Sequence, residues 1–314
     1  MHDSGTGGVS DQVHLFLLTG LVWRKLTLQP QGTSLGIFPL FPQSGCAGGI
    51  LDNCYFTKTL RTTSPLTNPG VEATPGYFAI TLNTSITVEM TVSNRTALYR
   101  FTFPDEPVPM KGGPTTGNYS IPNQPLILAD LSDLSNSRSS GHIAVDSENG
   151  RITGTGTFNP SFGQGTYTAY FCTDFSGASI KDTGIFQNTR ASTSVKDLKT
   201  QTSTIDGPPV PGGAFVQFDL PTNNQILARV GISFISEAQA CQNAEQEIPN
   251  FDFNGTLTTA ENAWRKKLSV VSLNATGVDK SIQTTFWSGI YRSLISPQDY
   301  TGENPLWKSS EPCE

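Results

Sequence analysis

The chain has 314 residues, with 20 Lys and Arg against 26 Asp and Glu, a formal net charge of −6 and 36% hydrophobic residues. An acidic balance without a Lys/Arg run argues against nucleic acid as a partner. The length permits one large all-β domain or two smaller ones, and abundant Thr, Ser, Gly, Asn and Pro suit many short strands joined by turns.

The chain opens on Met1-His2-Asp3-Ser4-Gly5-Thr6-Gly7-Gly8, where four polar residues sit among three glycines. Glycine lets backbone approach a ligand closely, and the side chains between are hydrogen-bonding groups, which is the make-up of a binding loop; the alternative is a disordered Gly/Ser-type N-terminal tail. A Ser-His-Asp triad is an unattractive reading, because adjacent residues of one loop do not easily adopt triad geometry. The longest apolar stretch, Val13 to Trp23, is broken by His14, Thr19 and Gly20. It is far shorter than the ~20 residues that a bilayer needs. Nor does it make a signal peptide, since the residues before it are acidic and no small-residue cleavage site follows.

Five cysteines are present. Cys46 and Cys54 close a short Gly/Asp/Asn loop, an ordinary geometry for a disulfide. Cys172 and Cys241 could form a second pair, and Cys313 is left over. The alternative is five free thiols in a reducing compartment.

From Gly76 the pattern alternates with period two. Tyr77–Leu82, Ile86–Val92 and Ala97–Phe103 read as three successive strands. Pro104 to Pro125 holds too many prolines for a central strand. Strands resume at Leu126–Leu131, His142–Val145, Arg151–Phe158 and Thr166–Thr173, with Asn149-Gly150 as a two-residue hairpin signal. Ala214–Leu220 and Ile226–Phe234 read as a further antiparallel pair. About ten short strands between 76 and 234 predict a large β-sandwich.

The period then becomes helical. Ser236 is an N-cap for a helix opening at Glu237, Leu257–Leu268 reads as a second helix, and Asp279–Leu294 as a third. The third carries Ile282, Phe286, Trp287, Ile290, Tyr291 and Leu294 on one face. Part of that stripe is expected against the sandwich and part against a further helical domain. Asn-x-Ser/Thr sequons at Asn83, Asn94, Asn118, Asn254 and Asn274 are candidate glycosylation sites.

Several segments together resemble the N-terminal domain of glycoside hydrolase family 92 in its fungal branch, a family of calcium-dependent exo-α-mannosidases. They are residues 1–8, Ser34-Leu35-Gly36 through Phe38-Pro39-Leu40-Phe41-Pro42-Gln43, Pro160-Ser161-Phe162-Gly163 and Ala169 to Gly177. The series continues with Arg229-Val230-Gly231-Ile232-Ser233-Phe234-Ile235-Ser236, Glu247 to Phe253, Ala263-Trp264, and Phe286-Trp287-Ser288-Gly289-Ile290-Tyr291-Arg292-Ser293-Leu294. No one motif is decisive, but their order along the chain is specific.

The resemblance implies a mainly β protein, a large antiparallel β-sandwich of the galactose-mutarotase-like supersandwich type followed by C-terminal linker helices. Residues 1–8 and 33–235 would form the sandwich, and 236–314 a helical linker leading to an absent (α/α)₆ catalytic domain. In the family that barrel supplies the general acid, the general base and the Ca²⁺ ligands. No residue of this chain is therefore assigned a catalytic role, and no Ca²⁺ is expected on it. His2, Asp3, Ser4 and Gly5 are the residues expected to face a mannose.

Three departures from the family pattern stand out. The chain starts inside the first matching stretch, it ends where the barrel should begin, and residues 9–32 intervene with nothing that fits the fold. That segment reads as an insert or a translated intron.

The expected function is that of a non-catalytic domain of an α-mannosidase that trims N-glycans, with mannose-containing glycans and the barrel as partners and neither nucleic acid nor membrane. The intact family protein is expected to be extracellular, and these residues as written, without a signal peptide, cytosolic. The competing reading is a stand-alone carbohydrate-binding module or an inactive fragment.

Overall fold

The structure is a computed structural model, and it describes residues 37–57, 70–110, 119–131, 138–159, 165–201, 210–294 and 301–304. In chain order the strands are β1 (Leu40–Gln43), β2 (Val71–Thr74), β3 (Tyr77–Thr81), β4 (Thr87–Val92), β5 (Thr96–Thr102), β6 (Val108–Met110), β7 (Tyr119–Ile121) and β8 (Leu126–Asp130). They continue with β9 (Ser140–Val145), β10 (Ile152–Phe158), β11 (Tyr167–Ser176), β12 (Ile180–Gln187), β13 (Arg190–Ser192), β14 (Asp197–Gln201), β15 (Gly212–Phe218) and β16 (Gln225–Ser233). Three helices follow, α1 (Glu237–Glu247), α2 (Phe253–Leu268) and α3 (Lys280–Ser293).

The fold is mainly β, as expected. While β6 and β7 pair by themselves as a two-stranded sheet, one large sheet has five strands in the order β1-β8-β15-β12-β13 and the other nine, in the order β14-β9-β10-β11-β16-β5-β4-β3-β2. Their pairings are antiparallel. The core lies between them. Alternation explains which residues fill it: on β10, Ile152, Gly154, Gly156 and Phe158 are buried while Thr153, Thr155 and Thr157 are only half-buried. That is the period of two a pleated strand imposes. Phe38 bridges the layers, its ring 4.3 Å from Phe171 and 5.5 Å from Phe158. β8 and β15 are buried on both faces. Beyond the smaller sheet the Cys46–Cys54 loop leads to Phe56, whose ring lies 5.0 Å from Phe186 and 5.7 Å from Phe215.

Two expectations are corrected. Residues 214–220 and 226–234 do form strands, but they are not a pair. β15 joins β12 and β8, whereas β16 joins β11 and β5 in the other sheet. Alternation reports which face of a strand is buried and is silent on which sheet it enters. The Asn149-Gly150 turn is likewise not a two-residue hairpin. The loop spans Asp146–Arg151, with Asp146 N donating to Arg151 O at 2.8 Å and Gly150 N to Asp146 O at 3.0 Å. Asp146 and Asn149 each accept a backbone N–H two residues on, and these Asx turns widen the loop. Gly150 takes φ +70°, a conformation glycine adopts without cost.

The helices start at side-chain caps. Ser236 Oγ accepts from Gln239 N at 3.1 Å, as predicted. Asp252 Oδ1 accepts from Gly255 N at 3.0 Å, which starts α2 four residues before the Leu257 expected. Asp279 Oδ1 accepts from Ser281 N at 2.7 Å and caps α3. α1 and α2 lie on the outer face of the nine-stranded sheet. There Leu98, Ile248 and Phe253 form a second buried cluster joined by Tyr77, Leu227, Phe251 and Leu257. α3 buries none of its residues: the Tyr291 ring lies 4.8 Å from that of the buried Trp264, tilted by 49°, while Ile282 and Phe286 stay 60% and 40% exposed. Among the described residues no helix is long and apolar enough to cross a membrane.

Candidate functional site at the sandwich–helix junction

His2, Asp3, Ser4 and Gly5, the residues expected to meet a sugar, lie outside the described residues, as do Asn118 and Cys313. Cys46 and Cys54 are disulfide-bonded, and so are Cys172 and Cys241. Asn83, Asn94, Asn254 and Asn274 are all exposed. What the described residues do build is the joint between sandwich and helices.

The joint is centred on β16. Its core face carries Ala228, Val230 and Ile232, and the alternate residues Leu227, Arg229, Gly231 and Ser233 point at the helices. Gly231 sets the spacing: a Cβ there would lie 2.1 Å from Ala240 O and 2.9 Å from Ala244 Cβ on α1. Only glycine opposite two alanines lets helix backbone sit this close to the sheet. The Cys172–Cys241 disulfide fastens the same helix to β11.

Arg229 closes the far end of α1. Its Nε lies 2.9 Å from Asp174 Oδ2, its Nη1 donates to Ile248 O at 2.8 Å, and its guanidinium lies 4.6 Å from the centre of the Phe251 ring. Asp174 also accepts from Arg151 Nε at 2.6 Å, and Arg151 Nη2 reaches Glu245 Oε1 at 2.5 Å. The hydrogen bond to Asp174, set against burial, raises the Arg151 pKa further above its ordinary value. A second set pins α2. Arg100 forks onto Glu89 at 2.6 Å through both Nε and Nη2, and lies 4.2 Å above the Phe253 ring. Tyr77 donates to Glu89 at 3.0 Å. Burial, with that bond and the Glu89 charge, pushes the Tyr77 phenol up to about 12.

The chain returns to the joint after α3. Glu303 is buried and accepts from Ser233 Oγ at 2.7 Å, Phe234 N at 2.8 Å and Asn243 Nδ2 at 3.1 Å. Arg95 Nε lies 3.3 Å from its Oε1, the oxygen that also accepts from Asn243. Glu247 accepts from Arg95 N at 2.8 Å; burial raises its pKa against those hydrogen bonds.

Chemically this is a mount. The carboxylates of the joint are held by arginines, amides or hydroxyls, so none is presented as a free acid or base. Calcium requires six to eight oxygen ligands. Among the described residues no group of three or more His, Cys, Asp and Glu is arranged so that it could hold a metal ion, and these residues do not fit a calcium site. Sequence reasoning missed the joint because its partners are far apart: Arg229 and Asp174 are 55 positions apart, and Glu303 and Ser233 are 70. The local signal was the alternation of Arg229, Gly231 and Ser233 on a strand whose other face is apolar.

These features define the class, a two-sheet antiparallel β-sandwich whose larger sheet carries a clamped layer of helices. The chain belongs to glycosyl hydrolase family 92: the model of the family's N-terminal domain matches residues 26–233, and that of its catalytic domain matches 239–311. The first match ends at the last residue of β16, and the second begins inside α1. The first starts within the 9–32 segment.

An uncharacterized secreted glycosidase of Arthroderma benhamiae is 44% identical over 316 residues, covering 99% of this chain and 36% of that protein. Among solved structures, the family GH92 inverting mannosidase of Bacteroides thetaiotaomicron VPI-5482 shares the fold with a TM-score of 0.65 at 19% identity, over 86% of this chain and 32% of the other. A family GH92 α-mannosidase of Bacteroides thetaiotaomicron gives 0.64 at 20% identity, over 86% and 34%. The chain thus spans about a third of the length of the relatives it matches.

Proposed function

We propose that these residues form the non-catalytic, sugar-facing part of an α-mannosidase that removes mannose from N-glycans. The observation that carries this reading is the order of the two family matches on one fold, with the sandwich match ending where the helical one begins. The named solved relatives with this fold are mannosidases. In this reading the Gly-rich loop brings His2, Asp3 and Ser4 to the hydroxyls of a mannose. Calcium and the acid and base carboxylates would come from the family's catalytic barrel, whose model matches residues 239–311 here. Inversion calls for two carboxylates spaced to admit a water, and this chain contributes neither. Its own work is to hold the loop and the first helices in fixed relation.

The secreted relative and the two disulfides support a secretory protein folded in an oxidising compartment, with N-glycans on the exposed sequons. Residues 9–32 are proposed to be an insert or a translated intron; a spliced transcript that encodes them would overturn the intron reading.

The test of function uses a polypeptide in which these residues are joined to a complete family barrel. Mannose release from α-1,2-mannobiose should require calcium and stop with a chelator. Asp3→Ala should raise KM more than it lowers kcat. Chelator-insensitive release, or an unchanged KM, contradicts the respective assignment.

A further inference from the structure

His142 sits where three elements meet. It lies on the helix-facing side of β9, opposite Thr155 of β10 and Lys199 of β14 in register. Its Nε2 is 2.6 Å from Asp197 Oδ2, on the first residue of β14. Its Nδ1 is 3.4 Å from Glu237 Oε1, on the first residue of α1. A neutral imidazole has one N–H and one lone pair, so it can donate to one carboxylate only. Its lone pair would then face the oxygens of the other. Both contacts are attractive together only when the ring carries two protons.

We propose that His142 is an acid-set latch, which as imidazolium ties the edge strand β14 and the first turn of α1 to β9, and which drops one of the two carboxylates as pH rises. The other groups facing it fit that role. Lys199 is the cation opposite it in register, β10 presents the uncharged Thr155, and Ser140 and Ala144 of β9 are also uncharged. Lys196 is turned away, its Nζ donating to Thr183 O and Oγ1 at 2.7 Å. Burial alone would lower the His142 pKa, but the hydrogen bonds to Asp197 and Glu237 outweigh it and raise the value above 6.5.

The sign follows. A histidine whose folded pKa exceeds its unfolded value stabilises the fold fully below the unfolded pKa, and that contribution is lost as pH rises through the folded one. The seam between the sandwich and α1 therefore tightens in acid. This inference does not depend on the sugar reading.

His142 is the one histidine among the described residues. In a chain with His2→Gln and His14→Gln, a single imidazole remains for NMR titration. It should titrate above 6.5 with both nitrogens protonated at the acid end. Asp197→Asn should lower its midpoint and Glu237→Gln should lower it less. A midpoint at or below 6.5, or one that neither substitution moves, overturns the latch. Urea unfolding gives an independent reading. The midpoint of the native chain should exceed that of His142→Gln at about pH 5.5, and the gap should close at about pH 8.5. A gap that is the same at both pH values also overturns it. If His142→Gln does not fold, the NMR titration decides alone.

Discussion

Replacing Arg229 by Met removes a cation from the centre of the joint while keeping most of its apolar stem. Arg229 and Asp174 have side chains only 9% and 11% exposed, so this pair lies in the regime where breaking a buried ion pair costs ~3–5 kcal/mol. Asp174 keeps Arg151 at 2.6 Å, which moves the pair toward the low end. Losing the charged donor at Ile248 O adds ~1.5–3 kcal/mol, and the stacking on Phe251 ~0.5–1 kcal/mol. These contributions overlap, and a total of ~3–5 kcal/mol is expected, or a fall of roughly 6–10 °C in Tm for a chain of this size. The assay is urea unfolding followed by circular dichroism, with Arg265→Ala as reference. Arg265 pairs with Glu261 in an exposed i,i+4 contact worth about 0.3–0.5 kcal/mol. A loss for Arg229→Met below ~1 kcal/mol, or no larger than the reference, refutes the claim that this arginine clamps helix to sheet.

Three further predictions concern the same joint. Gly231→Ala should destabilise by at least the ~1–3 kcal/mol of ordinary overpacking, because the new Cβ would meet Ala240 O at 2.1 Å; an unchanged unfolding midpoint contradicts the close approach. Replacing Cys172 and Cys241 together by Ala should cost more than replacing Cys46 and Cys54. The loops span 69 and 8 positions, and loop-closure entropy puts the two bridges at ~4 and ~2.5 kcal/mol; the reverse order in urea unfolding sinks that account. In alkaline difference absorbance one tyrosine should ionise near 12 and vanish from the titration in Tyr77→Phe. Because its folded pKa is raised, the stability it contributes is present below its ordinary 10 and is lost as pH climbs through 12. A Tyr77→Phe profile that retains the late transition contradicts the assignment.

The β architecture was largely legible, since burial on one face imposes period two. Arg151–Phe158 was read almost as it stands, and Ser236 was read as the cap it is. β12 escaped notice for a physical reason. A register shift between Ile180 and Asp182 interrupts its alternation, so Ile180-Lys181-Asp182-Thr183 shows no strand period. The sheet to which β15 and β16 each belong was beyond reach, because pairing partners are chosen by packing far along the chain. The same holds for the joint. Arg229, Asp174, Glu245 and Glu303 are ordinary surface residue types until β16 and α1 bring them together. The stripe on α3 was legible as apolar, but its expected partner was in part the sandwich, whereas the contact it makes is between Tyr291 and Trp264 of α2, and Ile282 stays open. The proposed sugar loop rests on glycine spacing and resemblance, and it lies outside the described residues.

The central proposal is that these 314 residues supply the scaffold and sugar-facing loop of a family 92 enzyme and not its chemistry. Initial rates of mannose release from α-1,2-mannobiose by the folded chain alone, at high protein concentration and with calcium present, test this most directly. The account predicts a rate equal to the protein-free blank. Saturable release that a chelator abolishes would contradict it, and would place the reacting carboxylates within this chain.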